Sequence, residues 1–278
     1  MTAHLDGRRI LVTGIADESS LALEIARTLE REGAELVCAG LGPTPHHADL
    51  SSAAERYLAL SQERFEKTVR ESLAPGTPTL VLDASLDGSI ADAGAALESR
   101  GLPLDGVVHA IAMDRTIRGG EARPLLEVSR EEFLDCLDVS AYSLIAMLRA
   151  MLDKEILRSG SSVVSLSYLG AERVMSHPYR NIGVAKAALE RISRELAEEL
   201  GRSRGIRVNV VRFSPYSASR AGGAIPGLEQ SVQNAAAKAP LGNAGPEALG
   251  VEVAHLMRPS SAVTGEVRHV DGGYHMMG

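Results

Sequence analysis

The sequence predicts an α/β chain built on one doubly wound parallel sheet with helices on both faces. Three observations carry this prediction. Short β-branched and aliphatic runs alternate with stretches of helical periodicity from end to end. The first unit, Ile10 to Ala39, runs strand, small-residue turn, helix, strand, and its two parallel strands require a right-handed crossover. No linker, internal repeat or shift of composition interrupts the pattern, so residues 1–278 read as a single domain.

Taken in order, Ile10 to Val12 is the first buried strand and residues 13–20 are the turn after it. Leu21 to Glu32 is an amphipathic helix closed by Gly33, and Glu35 to Ala39 is the second strand. The turn opens a helix, whose N-terminal amides and positive dipole end suit a pyrophosphate. It departs from the usual G-x-G-x-x-G: Gly14 is kept, and Ser20 and Ala22 stand where later glycines would. Alone the motif is weak, because a serine there also serves as a helix cap. Residues 40–49 are a loop by composition, and His46, His47 and Asp49 read as solvated loop groups, since nothing nearby completes a metal site. Ser51 to Ser72 is helical, with Tyr57, Leu58, Phe65 and Val69 on its apolar face. Thr79 to Asp83 is the third strand, followed by a helix around Ile90 to Arg100. Leu104 to Ala112 holds the fourth strand and its exit, Arg115 to Pro124 is a polar loop, and Glu131 to Leu157 is one long helix whose apolar residues include Phe133, Leu137, Tyr142, Ile145 and Leu148. Ser162 to Leu166 is the fifth strand. From Gly183 onward Ala185, Ala188, Leu189, Ile192, Leu196 and Leu200 recur at helical spacing. Arg207 to Val211 is the sixth strand, Phe213 to Gly227 a loop expected to be mobile, Glu247 to Met257 a helix, and Thr264 to Gly273 the last strand and turn.

With 45% hydrophobic residues, no tryptophan and three phenylalanines, the core must be aliphatic. The net charge is −7 with the signs interspersed and no basic stripe, which argues against a nucleic-acid partner. Two cysteines, Cys38 and Cys136, make neither a disulfide framework nor a metal cluster. The apolar run at residues 10–12 is too short for a signal peptide or a membrane span, and no later stretch is long enough, so a cytoplasmic protein without a membrane partner is expected.

Ligands on such a Rossmann-like sheet bind beyond the strand C-termini. Gly14, Asp83, Ile111 and Tyr168 stand at the ends of strands one, three, four and five. Tyr179 lies just before the helix that follows strand five, and Lys186 lies two turns into it, so both can reach one cleft. An ammonium beside a phenol favours the phenolate, which makes the phenol a better donor to a developing oxyanion. Taken alone, the pair reads equally as a surface tyrosine and a solvated lysine.

The rest of the chain bears on that choice. Ser167-Tyr168-Leu169-Gly170-Ala171-Glu172-Arg173, the six residues between Tyr179 and Lys186, the Gly14/Ser20/Ala22 turn and Asp83 together resemble the bacterial enoyl-acyl-carrier-protein reductases, a divergent branch of the short-chain dehydrogenases. His109-Ala110-Ile111, Gly205 to Asn209 and Gly265 to Gly273 fit the same family, so the likeness covers nearly the whole chain. The ordinary short-chain spacing would put the tyrosine at position 182, which is Ile182. The resemblance implies hydride delivery from a nicotinamide to the β-carbon of an enoyl thioester on acyl carrier protein, and a homotetramer. Tyr179 would hydrogen-bond the enolate oxygen, Lys186 would hold the nicotinamide ribose, and Tyr168 would line the pocket. Ser20 and the amides of Ile15 and Leu21 would hold the phosphates, and Asp83 and Ala84 would bracket the adenine. Leu41, Ile111, Pro215 and Tyr216 would complete the cofactor site. NADH is implied with NADPH left open, since no acid follows Leu41 and no basic pair marks a 2′-phosphate site.

Three departures stand out, one of them a stretch at residues 41–62 that is longer than the family norm. The family's threonine after strand six is Ala218, with Ser217 or Ser219 as substitutes. Its apolar pocket segment is Met113-Asp114-Arg115, with Arg115 and Arg118 near enough in sequence to pair with the acid. Ala218 and Asp114 keep open a short-chain reductase acting on a ketone or another activated alkene; a non-catalytic dinucleotide-binding protein is a third reading, against which the intact Tyr179 and Lys186 count.

Overall fold

The computed structural model describes residues 4–277. In chain order it contains β1 (Arg9–Thr13), α1 (Leu21–Arg31), β2 (Glu35–Gly40), α2 (Ser52–Ser72), β3 (Thr79–Val81), α3 (Asp87–Ser99), β4 (Leu104–His109), the short pair β5 (Ile117–Arg118) and β6 (Glu121–Ala122), α4 (Arg130–Leu137), α5 (Ser143–Asp153), β7 (Leu157–Tyr168), α6 (Arg180–Arg204), β8 (Arg207–Phe213), α7 (Arg220–Gly223), α8 (Leu228–Lys238), α9 (Pro246–Met257) and β9 (Val267–Val270). Seven strands form one sheet in the order β3-β2-β1-β4-β7-β8-β9, with every neighbouring pair parallel. The chain direction across the sheet reverses between β1 and β4, and this switch point opens a crevice at the strand C-termini.

β4 and β8 are buried at every position, as strands covered on both faces must be. Successive residues of β1 alternate between two apolar clusters. Ile10 and Val12 join α1, α9 and the Phe65–Val69 part of α2 on one face, and Leu11 joins α3, α5 and α6 on the other. Gly40 lets α2 lie flat on the sheet, because a Cβ there would fall 2.3 Å from the Phe65 ring. On the far side of the crevice, Arg212 of β8 donates to both carboxylate oxygens of Glu190 on α6, at 2.8 and 2.6 Å. Ser167 of β7 donates to the same Glu190 at 2.6 Å, and Glu172 pairs with Arg212. This buried network pins α6 across β7 and β8.

Several sequence expectations are corrected. The single helix from Glu131 to Leu157 is divided: α4 ends at Leu137, a π turn spans Asp138–Tyr142, α5 ends at Asp153, and Leu157 opens β7. Side chains inserted into the ladder go with the break. Ser140 Oγ accepts from the Met113 amide (3.0 Å) and donates to the Met113 carbonyl (3.1 Å), while Ser143 Oγ donates to the Val139 carbonyl at 2.7 Å. Tyr142 and Tyr57 are exposed and not on apolar faces; the Tyr57 ring instead lies 5.6 Å from the guanidinium carbon of Arg220. The loop after β8 contains α7, and α8 follows it. That second helix gave little periodic signal, because only Leu228, Ser231 and Ala235 of its Ala/Ser/Gln-rich sequence are buried.

Candidate active site

A cavity of about 370 Å³ opens at the C-terminal ends of β1, β4, β7 and β8. Among the residues predicted for the site, it is lined by Gly14, Ser20, Leu21, Ile111, Tyr168, Tyr179, Lys186, Pro215 and Tyr216. Ile15 is buried beneath the turn without lining the cavity. Leu41, Asp83 and Ala84 follow β2 and β3, away from the cavity on the other side of β1.

The turn after β1 is pressed against the exit of β4. Gly14 takes φ +84°, and a Cβ there would fall 2.0 Å from the Ala110 carbonyl oxygen, so no larger residue fits. Ser20 does not cap α1; its Oγ accepts from the amides of Ala16 and Asp17, each at 3.0 Å, and so closes the turn from within. The N-terminus of α1 therefore faces the cavity behind a backbone with no side chain at its tightest point. These features fit a dinucleotide whose pyrophosphate sits on the helix N-terminus.

Tyr179 is the residue immediately before α6, and Lys186 follows two turns in, its Nζ donating to the Ile111 carbonyl at 3.0 Å. Lys186 is only 5% exposed, and burial pulls its ammonium down to about 8. Burial likewise raises the Tyr179 phenol above its ordinary value, with Cys136 and Glu190 adding to the rise. The expected drift toward phenolate is thus outweighed by desolvation: Tyr179 keeps its proton and is a neutral hydrogen-bond donor.

Tyr168 ends β7 with its ring 5.0 Å from that of Tyr179, edge to face. Its hydroxyl is buried and unpartnered, and burial holds the proton on it. His177 completes this aromatic group, 5.5 Å from Tyr168 and 6.0 Å from Tyr179. Its Nδ1 lies 2.8 Å from Ser231 Oγ, its Nε2 is unpartnered, and burial lowers its pKa to about 4. His177 carries no motif of its own in the sequence; its place between Tyr168 and Tyr179 is the one signal there. Beneath the site His109 is fully buried against Ser143 (2.8 Å), and burial, with the Lys186 charge, lowers it to about 3.

Neither arginine serves Asp114. Its Oδ1 accepts from the Thr116 amide (2.9 Å) and hydroxyl (2.6 Å), while Arg115 pairs with Asp135 at 2.8 Å. Asp114 Oδ2 is buried without a partner in a residue that lines the cavity. Of the two serines near Ala218, Ser219 reaches the cavity, its Oγ accepting from the Gly222 amide at 3.0 Å. Of the loop histidines, His46 is exposed as expected, with its Nε2 2.7 Å from the exposed Asp92, whereas His47 is largely buried and its Nε2 lies 3.0 Å from Asp83. Among the described residues, His269, Asp271 and His275 bring possible ligand atoms within 4.8 Å of one another. Their rings stack 3.9 Å apart, and the Arg212 guanidinium stands 3.5 Å from His269, a charge that disfavours a cation.

A parallel sheet with a tight glycine turn at its switch point, and a partly buried tyrosine with a buried lysine across the crevice, define a nicotinamide-dependent oxidoreductase of the short-chain type. The model of the enoyl-(acyl carrier protein) reductase family matches residues 14–275. An NADH-dependent enoyl-acyl-carrier-protein reductase of Aquifex aeolicus is 36% identical over 99% of this chain and 93% of its own length. The Escherichia coli K12 enzyme of the same name is 34% identical over 97% of this chain and 95% of its own. The Aquifex crystal structure superposes with a TM-score of 0.84 at 32% identity, covering 99% of both chains. A Bacillus cereus enoyl-acyl-carrier-protein reductase in complex with NADP+ superposes with a TM-score of 0.85 at 28% identity, covering 100% of both chains. The chain belongs to the enoyl-acyl-carrier-protein reductase family.

The two buried histidines give the folded chain an acid-labile balance. Unfolded histidine takes up a proton near 6.5, whereas the folded chain resists until about 4 at His177 and about 3 at His109. Their contribution to stability is therefore complete above pH 6.5 and is lost as the pH falls through those folded values. Replacing His177→Gln should make the loss of stability between pH 6.5 and 4 shallower in urea titrations; an unchanged slope would assign that loss to other groups.

Proposed function

We propose that this chain reduces the 2,3 double bond of an enoyl thioester carried on acyl carrier protein, with NADH as reductant, in fatty-acid biosynthesis. The observation that carries the reading is Lys186, buried against the Ile111 carbonyl in one cavity with Tyr179 and the Gly14–Ser20 turn. Its relatives bear that activity in their names, with NADH as the reductant. The alternative of a non-catalytic dinucleotide-binding protein leaves this Tyr179–Lys186 pair without a purpose.

In this reading Gly14, Ser20 and the amides of Ile15 and Leu21 hold the pyrophosphate, and Asp83, Ala84 and Leu41 flank the adenosine. Ile111, Pro215 and Tyr216 border the nicotinamide. When bound, the nicotinamide supplies the hydride that reaches the substrate β-carbon. The electron pair of the double bond moves into the thioester carbonyl, giving an enolate that is then protonated at the α-carbon. Tyr179, kept neutral by burial, donates a hydrogen bond to the enolate oxygen. Lys186 spends one N–H on Ile111, which leaves two for ribose hydroxyls, and below pH 8 its charge supports the developing oxyanion. Tyr168 lines the acyl side as a second hydroxyl.

The same reading takes residues 1–278 as one domain of a cytoplasmic homotetramer with no nucleic-acid or membrane partner. Among the described residues no helix is long and apolar enough to cross a membrane. Leu125, Leu126, Leu134 and Val184 leave apolar side chains exposed on and before α4 and on α6, surface of a kind that a second copy covers. A monomer mass by light scattering at micromolar protein would exclude the tetramer.

The unpartnered Asp114 oxygen favours a second reading of the acyl chain. A buried carboxylate is costly unless something bonds to it, and a substrate carrying a polar chain would do so. On that reading, long saturated-tail enoyl thioesters turn over poorly and Asp114→Ala improves them. Wild-type turnover of a ten-carbon enoyl thioester at the ~10 s⁻¹ ordinary for enzymes would leave plain fatty acyl chains as the substrate. For the chemistry itself, Tyr179→Phe should lower turnover by ~10²–10³ and leave NADH affinity unchanged in calorimetry, as loss of one oxyanion donor does. Wild-type turnover in that variant would move the role to Tyr168 or to water.

A further inference from the structure

The active-site cavity lies over β1, β4, β7 and β8, so the adenosine half of a dinucleotide spanning the switch point must extend over β2 and β3. Such sites ordinarily place an acid at the end of the second strand to meet the ribose. Here β2 gives way to Leu41-Gly42-Pro43-Thr44-Pro45, and the carboxylate at these strand ends is Asp83, after β3.

Asp83 does not stand alone. Its Oδ1 accepts from the Ser85 amide (2.9 Å) and the Ser85 hydroxyl (2.6 Å). Its Oδ2 lies 3.0 Å from His47 Nε2, and both side chains are largely buried, 17% and 10% exposed. The His47 tautomer is fixed by its other nitrogen: the Thr44 amide donates to Nδ1 at 3.0 Å, so the proton of the neutral ring sits on Nε2 and is given to Asp83. Oδ1 is then filled, and Oδ2 keeps one direction in which to accept a bond from an incoming N–H or O–H group. The loop that carries His47 is itself anchored. His46 Nε2 meets Asp92 at 2.7 Å, and Gly88 admits the His46 ring where a Cβ would come within 2.3 Å of it.

We propose that His47 is a positioning residue for the adenosine half of the dinucleotide, acting through Asp83. By holding one oxygen of the carboxylate, it stops the group from rotating and aims the remaining acceptor direction at the ligand. Loop 41–50 is thereby part of the cofactor site although it does not line the active-site cavity. The inference rests on the dinucleotide reading above, and AMP, which carries only the adenosine half, tests it without any turnover.

Calorimetry with AMP on the full chain should show His47→Ala binding roughly tenfold more weakly than wild type, the scale of one charge-assisted hydrogen bond. His47→Gln, whose amide can donate to Asp83, should recover most of the loss. KM for NADH should rise by a similar factor while kcat and KM for the enoyl thioester hold. AMP binding unchanged or tightened in His47→Ala overturns the proposal, the latter meaning that His47 fills the site. If His47→Ala does not fold, the wild-type chain decides: the His47 ring-nitrogen resonance must move when AMP is added, and a stationary resonance overturns the proposal. Loss of AMP binding through His47 in a chain that reduces no enoyl thioester would sink the activity and leave this inference. Enoyl reduction with AMP binding indifferent to His47 would do the reverse.

Discussion

The buried pair between Glu190 and Arg212 sets where Tyr179 stands. Glu190 lies one turn beyond Lys186 on α6, and Arg212 lies near the end of β8, so their two bonds fix the helix against the sheet beside the crevice. A buried ion pair is weak evidence for stability, but removing one partner leaves an uncompensated charge and costs ~3–5 kcal/mol. That asymmetry makes it an alignment device. Ser167 and Glu172, from β7 and the segment after it, join the same network, so both strands flanking α6 are tied to it. Tyr179 and Tyr168 inherit their spacing from that frame.

Within the frame, desolvation governs the chemistry more than charge pairing does. The same burial that lowers Lys186 to about 8 raises Tyr179. A phenolate would repel an enolate oxygen, whereas a neutral phenol donates to it. Burial therefore keeps the Tyr179 phenol protonated, and the Lys186 ammonium is held by its bond to the Ile111 carbonyl. His109 below, held neutral, adds no competing positive charge beside Lys186. The rings of Tyr168, His177 and Tyr179 pack together beside the cavity, so the Tyr179 ring is fixed by contact as well as by backbone.

Much of this was legible in the sequence because it is local. The strand runs, the turn opening α1 and the seven-residue step from Tyr179 to Lys186 are written in consecutive residues. What was not legible depends on partners far along the chain. The π turn at Asp138–Tyr142 goes with Ser140 leaving its helix for Met113, twenty-seven residues earlier. The Ala-rich α8 shows little periodicity because it buries small residues, and nothing local to His177 in the sequence tells that Ser231 and Tyr168 gather around it. Asp114 was paired with the wrong groups for the same reason: sequence proximity to Arg115 says nothing of Thr116 turning back to it, or of Asp135 claiming the arginine.

Two of the stretches that depart from the family pattern prove to be neighbours. The region from Leu41 to Gln62 and the rewritten segment from Pro215 to Arg220 lie on opposite sides of β1 in the sheet order, yet Arg220 reaches the Tyr57 ring. Arg220 also lines the active-site cavity, and His47 ties the start of the same stretch to Asp83. A cation over an aromatic face is worth ~0.5–1 kcal/mol when exposed, so the contact is a light one. It ties the segment after β8 to α2. The physical consequence is that the segment bordering the cavity and the wall beside β2 are not independent: a change in one stretch alters the surface on which the other rests.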